Sequence, residues 1–187
     1  MALRIAQDEH ADAVLDQHPF ALLMGMMLDQ QYPMEHAFRG PAKVLDRLGS
    51  LDPRAVADAD PERFAALCAT APAVHRFPGS MAARIQQLAA VVVEQYDGHA
   101  ERLWQDATSG PELVRRLQAL PGFGPQKAKI FTALLAKQLG VRPEGWEAAA
   151  GDYAEAGSHR SVADVVDQDS LDEVRAFKKE QKGAAAR

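Results

Sequence analysis

At 187 residues, with 47% apolar and 25% charged side chains, the chain suits one domain or two small helical lobes sharing a cleft, with enough length to bury a sizeable core. A formal charge of −5 excludes a protein that coats nucleic acid through net charge alone, and the single cysteine excludes an intramolecular disulfide and any four-cysteine zinc or iron–sulfur site. The longest apolar run, 20–28, is too short to cross a bilayer and the first residues carry no apolar signal core, so a soluble, cytoplasmic protein with no membrane partner is expected.

In chain order, Pro19 opens a stretch that is apolar nearly all round, from Phe20 to Leu28, which predicts a central buried helix. Asp52-Pro53 and Asp60-Pro61 each pair an N-cap with a proline at the first helical position. Cys68 follows Phe64 in an apolar helical stretch and reads as a buried, inert thiol. Residues 80–96 set Ile85, Leu88, Ala89 and Val92 on one face and stop at Asp97-Gly98, and Trp104 reads as core. Ser109-Gly110-Pro111-Glu112 fits a capping box.

The helix it opens runs toward Leu120-Pro121-Gly122-Phe123-Gly124, and a second apolar stripe (Ala128, Ile130, Phe131, Leu134, Leu135, Leu139) follows. Two glycines one residue apart permit a tight hairpin and close backbone approach. The second helix then points free N–H groups and its positive dipole end outward, toward a phosphate. An ordinary helix–turn–helix packed in a helical domain is the plain alternative. The pattern weakens over 140–169, where connecting loops surround a short helical piece at 147–150. A closing amphipathic helix spans 170–182, acids first and bases last, before a frayed tail. Strand signals are scarce. The expected fold is all-α: a single domain over 1–187, with a helix-hairpin-helix at 112–139.

Leu120-Pro121-Gly122-Phe123-Gly124 followed by Pro125-Gln126-Lys127-Ala128 resembles the signature of the HhH-GPD superfamily of base-excision DNA glycosylases. The run from Phe20 to Gln31 is similar to that family's early buried helix with its glutamine-bearing turn, and Phe77-Pro78-Gly79-Ser80 to the segment before the hairpin. Within that family the chain resembles a small, compact actinobacterial-type group. The resemblance implies two helical lobes around a cleft that receives a damaged or mismatched base flipped from double-stranded DNA, because a stacked base shields its glycosidic carbon. It implies phosphate contacts from Leu120, Gly122, Phe123, Gly124, Gln126 and Lys127, and a duplex-filling role for Gln30 and Gln31. It further implies a monovalent cation, K⁺ or Na⁺, on the carbonyls of Gln118, Leu120 and Phe123, and no redox cofactor or iron–sulfur cluster. Monomeric action at the nucleoid is expected.

Breaking an N-glycosidic bond builds positive charge on the sugar, which a carboxylate stabilises while orienting water. Gln126 stands where bifunctional relatives carry a Schiff-base lysine, and an amide cannot form that adduct, so a monofunctional enzyme is implied. Lys127 or Lys129 as the nucleophile is the weaker alternative, since one step along a helix turns a side chain by about 100°. For the acid, the family spacing from Gln126 arrives at Glu144, within a proline–glycine loop. Asp164, in Ser161-Val162-Ala163-Asp164-Val165, has the apolar neighbours expected of it, and Asp152 is a second alternative. Asp164 is the leading candidate. Trp146 and Tyr153 are open to either a core or a stacking role.

The six histidines lack metal-ligand spacing, and no P-loop, GxSxG elbow or dinucleotide fingerprint occurs. Positive charge for DNA must be gathered locally, with Lys127, Lys129 and Lys137 after the hairpin and Arg175, Lys178, Lys179 and Lys182 near the end as candidates. A non-catalytic helix-hairpin-helix module recognising DNA structure or damage is the competing function, and a helical interaction protein that no longer binds DNA is a third.

Overall fold

The computed structural model describes residues 2–187, and every regular element among them is helical, with one isolated bridge (Ser109 to Glu144) and no longer β-pairing. Helix α1 (Glu9–Gln17) starts at Asp8, whose carboxylate accepts from the Ala11 N–H at 2.8 Å. Helix α2 (Pro19–Leu28) is buried at every position from Phe20 to Leu28. Its seven large apolar side chains each contribute roughly 1.5–3 kcal/mol of burial energy by transfer estimates. Gly25 lets α3 (Met34–Leu48) lie against it: a Cβ there would sit 2.5 Å from the Phe38 ring.

Helices α4 (Pro53–Asp58) and α5 (Pro61–Ala69) begin at the expected caps, Asp52 accepting from the Arg54 N–H and Asp60 from the Arg63 N–H, both at 2.9 Å. Helix α6 (Pro78–Tyr96) starts two residues earlier than the apolar pattern indicated, because Pro78 supplies the first helical position. After the short α7 (Arg102–Gln105) come α8 (Gly110–Gln118) and α9 (Pro125–Leu139), the two arms of the hairpin. Ser109 caps α8 by accepting from the Glu112 N–H at 3.2 Å. The return half of the expected capping box is absent, since the Glu112 carboxylate instead accepts from the Thr108 N–H and pairs with Arg116.

The segment after α9 holds α10 (Trp146–Ala150) and two 3₁₀ turns, Gly151–Ala154 and Val162–Asp164. The closing helix, α11 (Gln168–Ala185), extends beyond the expected 170–182 at both ends. Asp167 and Ser170 cap each other at its start, and the alanine-rich end, expected to fray, continues the helix instead. The helices pack in two groups, α1–α6 and α7–α11, joined by one continuous apolar core. Trp104 and Cys68 both belong to that core. Burial raises the Cys68 thiol to about 11, consistent with an inert side chain. No helix is long and apolar enough to cross a membrane.

Candidate nucleic-acid interface

Between the two groups opens a cleft of about 1080 Å³. One wall is the α2–α3 turn from Asp29 to Met34, with Arg76 beside it. The other comprises Gln126, Lys129 and Ile130 of α9, the segment Ala150 to Tyr153, and the last turns of α11. Seven cationic side chains line it against two carboxylates, Asp29 and Asp152, so the acidic chain concentrates positive charge on one face. Arg175 pairs with Glu35, Lys178 lies 3.8 Å from Asp29, and Arg160 pairs with Glu155 at 3.0 Å. Arg76, Lys129, Lys179 and Lys182 have no ion-pair partner among the described residues and face the cleft as free cations.

The hairpin adjoins this cleft. Gly122 has φ +79°, the left-handed region that favours glycine, and a Cβ there would sit 2.7 Å from Met27 Cγ. Gly124 is different: its backbone is extended and a Cβ would meet nothing within 4 Å. Its lack of a side chain therefore leaves the space before α9 open. Among the described residues the N–H groups of Gly122, Gly124, Gln126 and Lys127 donate to no protein acceptor, which leaves them for an anion. On the carbonyl side, Leu120 accepts from the Phe123 N–H at 3.2 Å, while Gln118 and Phe123 accept no backbone bond. All three carbonyls therefore keep lone pairs free. No group of His, Cys, Asp and Glu suited to a metal ion occurs among the described residues.

The two glutamines of the turn differ. Gln30 is fixed: its amide donates to the Met27 carbonyl at 2.8 Å, its Oε1 accepts from Arg84 at 3.0 Å, and its main-chain carbonyl meets His75 Nε2 at 2.9 Å. Because a carbonyl only accepts and His75 Nδ1 receives the Phe77 N–H at 3.0 Å, His75 is the neutral Nε2–H tautomer, and burial lowers its pKa accordingly. Gln31, at φ +51°, stands exposed at the tip of the turn. Gln31 is therefore the glutamine free to enter a duplex, and Gln30 belongs to the scaffold behind it.

Of the residues expected to touch phosphate through a side chain, Lys127 does otherwise. Its ammonium turns inward and donates to the carbonyls of Met26 at 2.7 Å and Met27 at 3.1 Å. Desolvation lowers its pKa to about 8, with Lys178 and Arg84 adding to the shift and Asp29 opposing it. Leu120 and Phe123 are buried, so only their main chain is available.

The three candidate acids also separate. Asp164 lies outside the cleft, with a side chain 5% exposed. Its carboxylate takes Lys137 at 2.6 Å, Ser158 at 3.2 Å and the Arg160 N–H at 2.9 Å. It caps its own 3₁₀ turn together with Ser161. The apolar neighbours that singled it out are the anchors of that turn, Val162, Ala163 and Val165, all buried. Glu144 is exposed beside the start of α8, where its carbonyl accepts from the Gly110 N–H at 2.8 Å, and does not line the cleft. Asp152 is exposed on the 3₁₀ turn and does line it. Beside it, Tyr153 accepts from the Gln126 amide at 2.9 Å, while Trp146 packs against the core.

Sequence reasoning did not single out Asp29, Tyr32, Arg76 or Arg84, because nothing local marks residues that meet only through the α2–α3 turn. The four basic residues near the chain end, named as candidate charge, all line the cleft, but Lys137 is consumed by Asp164.

A glycine hairpin with outward N–H groups, set beside a basic cleft in an all-α frame, defines a DNA-binding helical protein built to hold backbone phosphates. The family model described as HhH-GPD superfamily base excision DNA repair protein matches residues 24–187, and the chain belongs to that family. No curated protein and no solved structure matches the chain significantly.

Proposed function

We propose that the protein is a monofunctional DNA N-glycosylase acting on a damaged or mismatched base, with Asp152 as its carboxylate. The observation that carries this reading is the position of Asp152, the one candidate acid that lines the basic cleft, on the same turn as the Tyr153–Gln126 bond. A base turned out of the duplex enters the cleft, Gln31 fills the space behind it, and the hairpin amides hold the neighbouring phosphates. As the C1′–N bond breaks, its electron pair leaves with the base and positive charge grows on the sugar beside Asp152. The carboxylate stabilises that charge and takes a proton from the water that bonds to C1′. The departing base takes up a proton from solvent and the carboxylate releases its own, so the products are the neutral free base and an abasic sugar.

Gln126 cannot itself form the Schiff base and Lys127 is turned onto α2, while Lys129, on the same face of α9 as Gln126 and lining the cleft, is the amine that the borohydride arm of the test interrogates. The chemistry calls for no redox cofactor, and a K⁺ or Na⁺ ion on the carbonyls of Gln118, Leu120 and Phe123 would stiffen the hairpin. The test incubates the full chain with duplexes carrying deaminated, alkylated, oxidised or mismatched bases, then cleaves abasic sites with alkali. Alkali-dependent cleavage, abolished by Asp152→Asn and kept by Glu144→Gln, is the expected result. DNA binding without abasic product on any duplex would make the protein a non-catalytic module. Strand breaks without alkali that borohydride traps on the protein would overturn the monofunctional assignment.

A further inference from the structure

Gln126 and Tyr153 meet on one wall of the cleft, the first from the second residue of α9 and the other from the 3₁₀ turn that carries Asp152. Gln126 is exposed, while Tyr153 packs its ring against the core and presents its hydroxyl to the cleft. The 2.9 Å bond uses one N–H of the amide and one lone pair of the phenol. Left over are the second amide N–H, the amide carbonyl with both lone pairs, and the phenolic O–H. The bond fixes the amide plane, so these groups form an ordered acceptor–donor–donor set with the amide carbonyl at one end.

The other two aromatic rings of the cleft each have one contact already. The Arg160 guanidinium lies 5.5 Å over the Phe177 ring, and Tyr32 packs on His75 with centroids 4.7 Å apart. Two of the three rings lining the cleft thus have a contact engaged, and a cationic base would enter beside free Lys129. Hydrogen bonding, with carbonyl oxygens favoured by nearby cations, is what this wall offers.

Resting on the glycosylase reading, we propose that Gln126 and Tyr153 read the flipped base and select those with a lactam edge, a ring C=O beside a ring N–H. Deaminated bases such as uracil and hypoxanthine carry that edge. The amide carbonyl accepts the ring N–H while the second amide N–H and the phenol donate to the ring carbonyl. Ethenoadenine, which has neither a ring carbonyl nor a ring N–H, offers the amide carbonyl no donor and the two protein donors no carbonyl, and each unmet buried bond lowers binding several-fold.

The experiment measures affinity for duplexes holding a single 2′-fluoro nucleotide, which resists cleavage and so reports recognition without chemistry. The bases compared are uracil, hypoxanthine and ethenoadenine, each against undamaged duplex. Wild type is expected to bind the two lactam bases about tenfold more tightly than ethenoadenine. Tyr153→Phe, which keeps the ring and removes one donor, is expected to lower that ratio about threefold, and Gln126→Ala to abolish it. Equal binding of all three bases, or a ratio unchanged in both variants, overturns the proposal. Selective binding of the 2′-fluoro duplexes supports the pair as base reader even where no natural base is excised, a result that would remove the glycosylase reading alone.

Discussion

The ammonium of Lys127 donates to the main-chain carbonyl of Met26 at 2.7 Å, joining residues 101 positions apart in the chain. It ties the first turn of α9 to the last turn of α2, and places a cation against the negative end of the most buried helix. The hairpin and the glutamine-bearing turn are thereby held together, since α2 leads directly into that turn. Gly122 packs on Met27 at the same seam.

This contact has a pH signature. Lys127 has a folded pKa of about 8, below its ordinary 10.5, so the folded state binds fewer protons than the unfolded chain between those values. Stability from this group is therefore lowest below pH 8 and rises as pH climbs through the folded pKa toward the unfolded one. Lys127→Met removes the effect. Urea denaturation at pH 7.5 and 9.5 should show wild type gaining stability relative to Lys127→Met at the higher pH.

The inward Lys127 and the outward cleft cations should also differ in DNA binding. Replacing Lys129, Lys179 or Lys182 by Gln removes a free cleft cation and should reduce the slope of log affinity against log salt by about one each. Lys127→Gln should leave that slope unchanged. Fluorescence anisotropy on a labelled duplex at four salt concentrations reads both.

The two hairpin glycines call for opposite behaviour. Gly122→Ala meets both a positive φ and the Met27 side chain, and should cost about 1–3 kcal/mol in thermal unfolding. Gly124→Ala meets neither, so stability should change by less than about 0.5 kcal/mol. Its methyl would nonetheless stand in the space before the free amides of α9, and DNA affinity should fall about tenfold or more, measured in the same anisotropy assay.

Asp164 and Asp152 separate stability from function. Asp164→Asn removes one partner of a buried pair and should destabilise the fold by about 3 kcal/mol, read as a lower midpoint in denaturant. Asp152→Asn, at an exposed position, should leave that midpoint within about 0.5 kcal/mol of wild type while abolishing base excision.

The sequence alone determined the helical architecture. Apolar periodicity, the Asp52, Asp60 and Ser109 caps, and the glycine pair at the hairpin are local signals whose physics acts within a few residues. The all-round apolar stretch after Pro19 likewise required burial wherever the rest of the chain lay. Tertiary structure decided which charged residues face DNA and which serve the fold. Asp164 and Asp152 are both acids in the irregular segment, and only packing puts one on Lys137 and leaves the other in the cleft. Lys127 and Lys129 share a helix, yet the crossing of α9 over the end of α2 turns one inward. Gln30 and Gln31 are neighbours, and Arg84, 54 residues away from Gln30, decides which is held. Periodicity tells a helix which face is apolar, but the identity of its polar partners depends on distant segments brought together by folding.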